Sequence, residues 1–233
     1  MYNRSRVNSI AFTLFAVTVM TVMTGQTAIK ILPLGDSITQ GNTAMRSYRY
    51  ELWKKLVDAN IQHQFVGSLT SNFTGNPVFP TYKNLNFDNH NEGHFGWKVH
   101  ELRDNLSNWL KGYTFDIVLF QGGTNDAGTE NASQIVSEMK DIVGILRAAN
   151  PKAIILLGHP FQEWAPFPAI RTGMDQLAAQ MNTAQSPVII VKLETGWVSI
   201  RQPQARRQST GFIPILPEKH YWRLISLQLR NRI

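Results

Sequence analysis

The amino-acid sequence predicts an α/β protein: a three-layer sandwich with a five-stranded parallel sheet covered by helices on both faces. Three observations carry that prediction. Five short runs rich in Ile, Val and Leu alternate with four longer segments whose apolar residues recur at helical spacing. The runs are apolar nearly throughout, as parallel strands buried on both faces must be. Chemistry-bearing polar residues follow the ends of runs, where open parallel sheets place their working sites.

In chain order, "IKILPL" (29–34) reads as the first strand. "YRYELWKKLVDAN" (48–60) sets Tyr48, Leu52, Trp53, Leu56 and Val57 on one helical face and stops at Asn60. "IQHQFVG" (61–67) is the second strand. "FGWKVHELRDNLSNWLKG" (95–112) is helical, with Val99, Leu102, Leu106 and Leu110 on one side and Gly112 as its stop. "FDIVLFQGG" (115–123) is the third strand. The next helix, 132–150, repeats Ile135, Met139, Ile142 and Leu146, and Pro151 forbids its continuation. "KAIILLG" (152–158) and "PVIIVKL" (187–193) are the fourth and fifth strands, with a helix near 168–184 between them. There is no internal repeat and no linker, so 29–197 is expected to form one domain, large enough to bury a sizeable core.

The two ends differ from this body. Arg4 and Arg6 precede the uncharged run "IAFTLFAVTVMTVM" and the small-polar "TGQTA". A positive start, a short apolar core and a small-residue exit predict a secretory signal over 1–28, hence a secreted protein. Fourteen residues are too few for a comfortable membrane span. The tail, 198–233, is basic: from Arg201 onward there are seven Lys or Arg and a single acid, Glu218. That segment supplies +6 of the chain's net +7, so the pI of 9.8 does not signal a basic face, and no nucleic-acid partner is expected. With no cysteine there is no disulfide, thiol nucleophile or thiolate metal site. Export would make "NFT" at 72, "NLS" at 105 and "NAS" at 131 candidate glycosylation acceptors.

Three short motifs carry the chemistry. "LGDSITQG" places Ser37 in the turn after the first strand, beside a helix N-terminus; a serine hydroxyl attacks only when a base takes its proton. "NEGHFGWKV" places Gly96 just before a helix, where a bare backbone N–H can be offered. "QGGTND" places Asn125 at the end of the third strand, with Gly122 and Gly123 allowing close approach. A nucleophile and three N–H donors, from Ser37, Gly96 and Asn125, are the parts of an acyl-transfer site with an oxyanion hole. Read singly, each motif also suits a helix cap or plain turn; together, at the ends of strands, they point to catalysis.

These stretches resemble the SGNH hydrolases, the GDSL-type esterases. "GDSITQG", "GHFGW" and "GTND" are similar to that family's first three blocks, and the likeness runs from Ile29 to about Gly196. In "SYRYELWKKL", "FVGS", "NEGHFGW" and "LFQGGTND" it is closest to the acetylxylan-esterase-like branch, carbohydrate esterase family 3. The resemblance implies a flavodoxin-like sheet (the SGNH hydrolase fold), Ser37 as nucleophile, and Gly96 and Asn125 as oxyanion donors. It also implies no cofactor, no metal and removal of acyl groups, acetyl above all, from polysaccharide or a small ester; separately, a monomer is expected. A carbohydrate-binding relative without catalysis and a lipid esterase are the alternative readings.

The family's last block, roughly Asp-Gly-x-His-Pro-Asn after the fifth strand, is missing. No Asp follows Asp175, and the only His after His159 is His220, in "EKHYW". His159 reads as structural, and His90, His94 and His100 as surface or substrate-contact residues. One reading frame over, however, the codons for Ser209 to Ile215 can spell Asp-Gly/Trp-Ile-His-Pro-Asn. Those for Trp197 to Ser199 can spell Gly-Phe. The expectation is that a frame slip or misplaced splice junction between about Glu194 and Trp197 replaced the true C-terminus. The written chain would then lack its base and its closing helix.

Overall fold

Strand β1 (Ile29–Gly35) forms because every residue from Ile31 to Gly35 is buried, with side chains alternating between two cores. The computed structural model describes residues 27–196 and 217–230. After β1 come a single turn, α1 (Ser37–Gln40), and helix α2 (Ser47–Asp58). Strands β2 (His63–Phe65) and β3 (Glu92–Gly93) follow, then α3 (Val99–Trp109), β4 (Ile117–Gln121) and α4 (Ala132–Ala149). The order closes with β5 (Ile154–Gly158), α5 (Phe167–Met181), β6 (Val188–Val191), a 3₁₀ turn at Leu193–Gly196, and α6 (Pro217–Arg230).

All sheet pairings are parallel, in the order β2-β1-β4-β5-β6. These are the five expected strands, in the doubly wound order that reverses at β1 and β4. The sixth, β3, was not foreseen. It continues the β2 edge of β1, with Leu34 opposite Glu92 and Gly35 opposite Gly93. Two residues carry no period, so no pattern announces them.

Period two sorts the strands into two cores. Leu32, Leu34, Val118, Phe120, Ile155 and Leu157 face α3, α4 and α5. Ile31, Ile117, Leu119, Ile154 and Leu156 face α2 and α6. The helical positions read from the sequence are buried where expected: Val99, Leu102 and Leu106 on α3, and Ile135, Met139, Ile142 and Leu146 on α4. Asn131 caps α4 by accepting the Gln134 N–H at 2.9 Å. Helix α3 starts four residues later than expected, because Gly96 sits at φ +82° in the turn closed by the Trp97 N–H on the His94 carbonyl.

The expected export signal and residues 197–216 lie outside the described residues, apart from the last two of the signal. No described helix is long and apolar enough to cross a membrane. The expectation of a missing closing helix is corrected: α6 is present and packs on α2, with Tyr221 and Ile225 buried one turn apart. Tyr221 stacks on Tyr48 at 5.2 Å between ring centroids, and its hydroxyl donates to the Phe120 carbonyl at 3.2 Å. One glycosylation reading is also corrected. Asn72 is buried, its amide bonded to the Met45 carbonyl at 3.0 Å and its carbonyl oxygen to Arg49 at 3.0 Å.

Truncating a fully buried aromatic leaves a cavity that the sheet cannot close. Tyr221→Ala should therefore destabilise the chain by about 3 kcal/mol in urea denaturation, and Tyr221→Phe by about 1 kcal/mol.

Candidate active site

The three motifs meet because β1 ends between two neighbours. Gly35 pairs with Gln121 of β4 on one side and Gly93 of β3 on the other. A Cβ on Gly35 would lie 1.9 Å from the Gln121 carbonyl oxygen, and one on Gly93 2.5 Å from the Gln40 nitrogen. Only glycine permits either approach. The chain leaving β1 is tied to β4 by the Asp36 N–H on the Gln121 carbonyl at 3.1 Å. The chain leaving β3 is tied to β1 by the His94 N–H on the Gly35 carbonyl at 2.8 Å.

Ser37 opens α1 directly after Asp36, whose carboxylate accepts the Ile38 N–H at 2.9 Å. The Ser37 side chain is part-exposed, and neither its hydroxyl nor its N–H bonds to another described residue. Gly96 lies in the turn after β3, and nothing stands within 4 Å of where its Cβ would be. Its N–H likewise finds no acceptor among the described residues. The Phe95 N–H beside it is held by the buried Gln40 side chain at 2.8 Å. Asn125 follows β4 and donates one amide hydrogen to the Trp97 carbonyl at 2.8 Å, leaving the other available. Ser37 is thus linked through Gly35 to the Gly96 turn, and that turn through Trp97 to Asn125.

All six histidines lie among the described residues, and none bonds to Ser37. His63 donates from Nδ1 to the Ile61 carbonyl at 2.7 Å, at the far end of β2. His90 pairs with Asp88 at 2.5 Å. His94 is a packing residue, stacked on Trp109 at 4.2 Å and bonded to Glu92 at 2.8 Å. His100 bonds to Glu130 at 2.9 Å. His159 is buried with its Nδ1 on Glu194 at 3.1 Å and its Nε2 3.4 Å from Asp175. Burial pushes the Glu194 carboxyl up, but the bond from His159, a backbone N–H and the charges of His159 and Arg171 together hold the group below the usual range. His220, on α6, makes no hydrogen bond or ion pair with a described residue.

A GDSL-like lipase/acylhydrolase family model matches residues 34–210, about three quarters of the chain. The chain belongs to that family. Among solved structures, a carbohydrate esterase of family 3 from Talaromyces cellulolyticus is 28% identical, with a TM-score of 0.61 over 71% of this chain and 79% of that one. The family 3 carbohydrate esterase of Clostridium thermocellum is 27% identical, at TM-score 0.61 over 72% and 80%. An acetyl esterase with a serine-to-alanine substitution, solved with acetate, is 26% identical at TM-score 0.68 over 87% and 97%. Among curated proteins, none matches this chain. By family, then, the GDSL-like chain is a carboxylic ester hydrolase on the SGNH hydrolase fold.

Two residues that position the site escaped the sequence reading. Arg49 is fully buried and donates from Nε to the Thr39 carbonyl (2.7 Å) and from Nη2 to the Gln40 carbonyl (2.8 Å) and Asn72 (3.0 Å). Its Nη1 reaches the Asn89 side chain at 2.6 Å. This one guanidinium ties α1 to two surface loops, and burial pulls its pKa down to about 10. Glu92 accepts from Ser68 N–H and Oγ, Tyr113 and His94, at 2.6 to 2.8 Å. Burial pushes its carboxyl up, yet those bonds prevail and hold it low. The only sequence signal was an arginine set between two buried tyrosines on α2.

Burial, aided by the charge of Asp126, pushes the Asp36 carboxyl up to about 7. A carboxyl raised on folding holds its proton more tightly in the native state, so its contribution is full below pH 4 and is lost as pH rises through 7. Unfolding free energy at pH 4 and pH 8 should therefore differ between wild type and Asp36→Asn. Wild type should lose on the order of 3 kcal/mol more across that interval.

Proposed function

We propose that this chain is the scaffold of a secreted serine esterase that removes acetyl groups from a polysaccharide such as xylan, with Ser37 as nucleophile. The observation that supports the reading is that β1, β3 and β4 end side by side, and the segments leaving them carry three N–H donors with no acceptor among the described residues: the amides of Ser37 and Gly96 and the second amide hydrogen of Asn125. In the forward reaction Ser37 Oγ attacks the ester carbonyl while a base removes its proton. The developing oxyanion is held by those donors, the alcohol leaves with a proton, and water releases the acyl group.

The substrate class is supported by a second feature. Phe73 and Phe95 stack face to face at 4.3 Å with 15° between their planes, and both remain exposed. Phe95 adjoins Gly96, and the Phe73 N–H is held on the Gly41 carbonyl, at the end of α1, at 3.1 Å. Two exposed rings beside the three donors offer an apolar platform on which a sugar ring could rest. The family 3 carbohydrate esterases among the structural relatives fit the same substrate class.

The same proposal holds that the written chain is impaired. No histidine bonds to Ser37, and the shadow frame that can spell the missing block begins just past Gly196. Without the base, turnover should fall by about 10⁴–10⁶ while the fold persists. That loss also favours the second reading, a relative that binds acetylated polysaccharide through the Phe73–Phe95 platform without cleaving it.

Hydrolysis of p-nitrophenyl acetate by two chains decides the matter: the one as written, and one whose residues after Gly196 follow the shadow frame. The shadow-frame chain should be at least about 10⁴-fold faster and should lose that activity in Ser37→Ala. Equal turnover by both would refute the frame slip; no turnover by either, with xylan binding retained in Ser37→Ala, would favour the binding protein. In the active chain, Phe95→Ala should raise KM for acetylated xylo-oligosaccharide about three- to tenfold. KM for p-nitrophenyl acetate should stay unchanged.

A further inference from the structure

Behind the Asn125 loop, one imidazole and three carboxylates crowd together with no counter-ion sufficient for them. His100 comes from the first turn of α3, Asp126 and Glu130 from the loop after β4, and Glu138 from α4. One ligand-capable atom from each lies within 4.8 Å of the others. Asp126 is fully buried and Glu138 is 6% exposed, while the Glu130 side chain is 8% exposed. Each carboxylate has one oxygen engaged. Asp126 Oδ1 accepts the Val99 N–H at 2.9 Å, and Glu130 Oε1 meets His100 Nδ1 at 2.9 Å. Glu138 Oε1 lies 3.5 Å from the Gln134 amide and 3.7 Å from Arg103.

The other three oxygens, Asp126 Oδ2, Glu130 Oε2 and Glu138 Oε2, are buried without any hydrogen-bond partner. Each buried unsatisfied acceptor is costly, and three of them on mutually repelling carboxylates compound that cost. One positive guanidinium on the rim cannot satisfy three separate oxygens. A single divalent cation can.

We propose that His100, Asp126, Glu130 and Glu138 bind a divalent cation of the Zn²⁺ or Mn²⁺ class. Three hard oxygens alone would suit Mg²⁺ or Ca²⁺, but an imidazole in the set selects a first-row transition ion. The role is structural. Asp126 Oδ1 caps the start of α3 through Val99, so a cation on Oδ2 fastens that helix end to the loop after β4 and to α4. Gly96 precedes that helix and Asn125 precedes Asp126, so the ion braces the oxyanion side of the site from behind without touching substrate. It is distinct from any catalytic metal, which the ester hydrolysis proposed above does not need.

The test is thermal unfolding of the full chain after chelation, with Zn²⁺ or Mn²⁺ added back, in wild type, Glu138→Gln and His90→Ala. The wild type should gain about 5 °C or more at a hundredfold excess over Kd, and His90→Ala, which removes an exposed unrelated histidine, should gain the same. Glu138→Gln is nearly isosteric and should fold. Relieved of repulsion, it should match or exceed wild type without metal and gain little when metal is added. A shift of equal size in Glu138→Gln, or none in wild type with either ion, would overturn the proposal.

Discussion

The fit of a side-chain-less residue at the end of β1 is the constraint on which the rest of the site depends. Gly35 is flanked by Gly93 and Gln121 so closely that a single methyl group would overlap the Gln121 carbonyl. Because the two neighbours close on β1 at that point, the three segments that leave the sheet there must leave side by side. The segments that carry Ser37, Gly96 and Asn125 leave the sheet together for that reason, held by the Asp36 N–H on the Gln121 carbonyl and the His94 N–H on the Gly35 carbonyl. The placement is a property of strand order and of one missing Cβ, before any side chain is considered.

Around that junction the structure spends polar groups where a core would normally be apolar. Arg49 and Glu92 are buried charges, each satisfied by several hydrogen bonds rather than by each other. A buried ion tolerates such a place only when its bonding capacity is filled. Arg49 fills it with backbone carbonyls of α1 and with Asn72 and Asn89. Glu92 fills it with donors from Ser68, Tyr113 and His94. Together they hold long loops to a short strand, a task that apolar contacts, being non-directional, would perform less specifically.

The sheet was legible because burial on both faces writes itself as apolar runs, and the helices because α3 and α4 keep strict spacing at Val99–Leu106 and Ile135–Leu146. The candidate site was legible through three motifs whose small or polar residues have few other reasons to stand at strand ends. What stayed hidden depends on distance in space. Two residues of β3 have no period to betray them. Arg49 looked like one more charge on an amphipathic helix, and the His100–Glu138 cluster spans elements separated by a strand and a loop. Helix α6 was overlooked because the tail was judged by its charge and by the lost block, whereas folding asked only for apolar residues at Tyr221 and Ile225.

That last point reaches beyond this helix. Covering an apolar face needs residues of roughly the right size at the right interval, whereas the proton transfer proposed for Ser37 needs one imidazole at one place. The first requirement is met by many unrelated sequences and the second by almost none. Under the frame slip proposed above, the chain closes its core with Tyr221 and still lacks its base. Cellular triage reads stability and not activity, so such a product would persist as a well-folded, silent copy instead of being degraded.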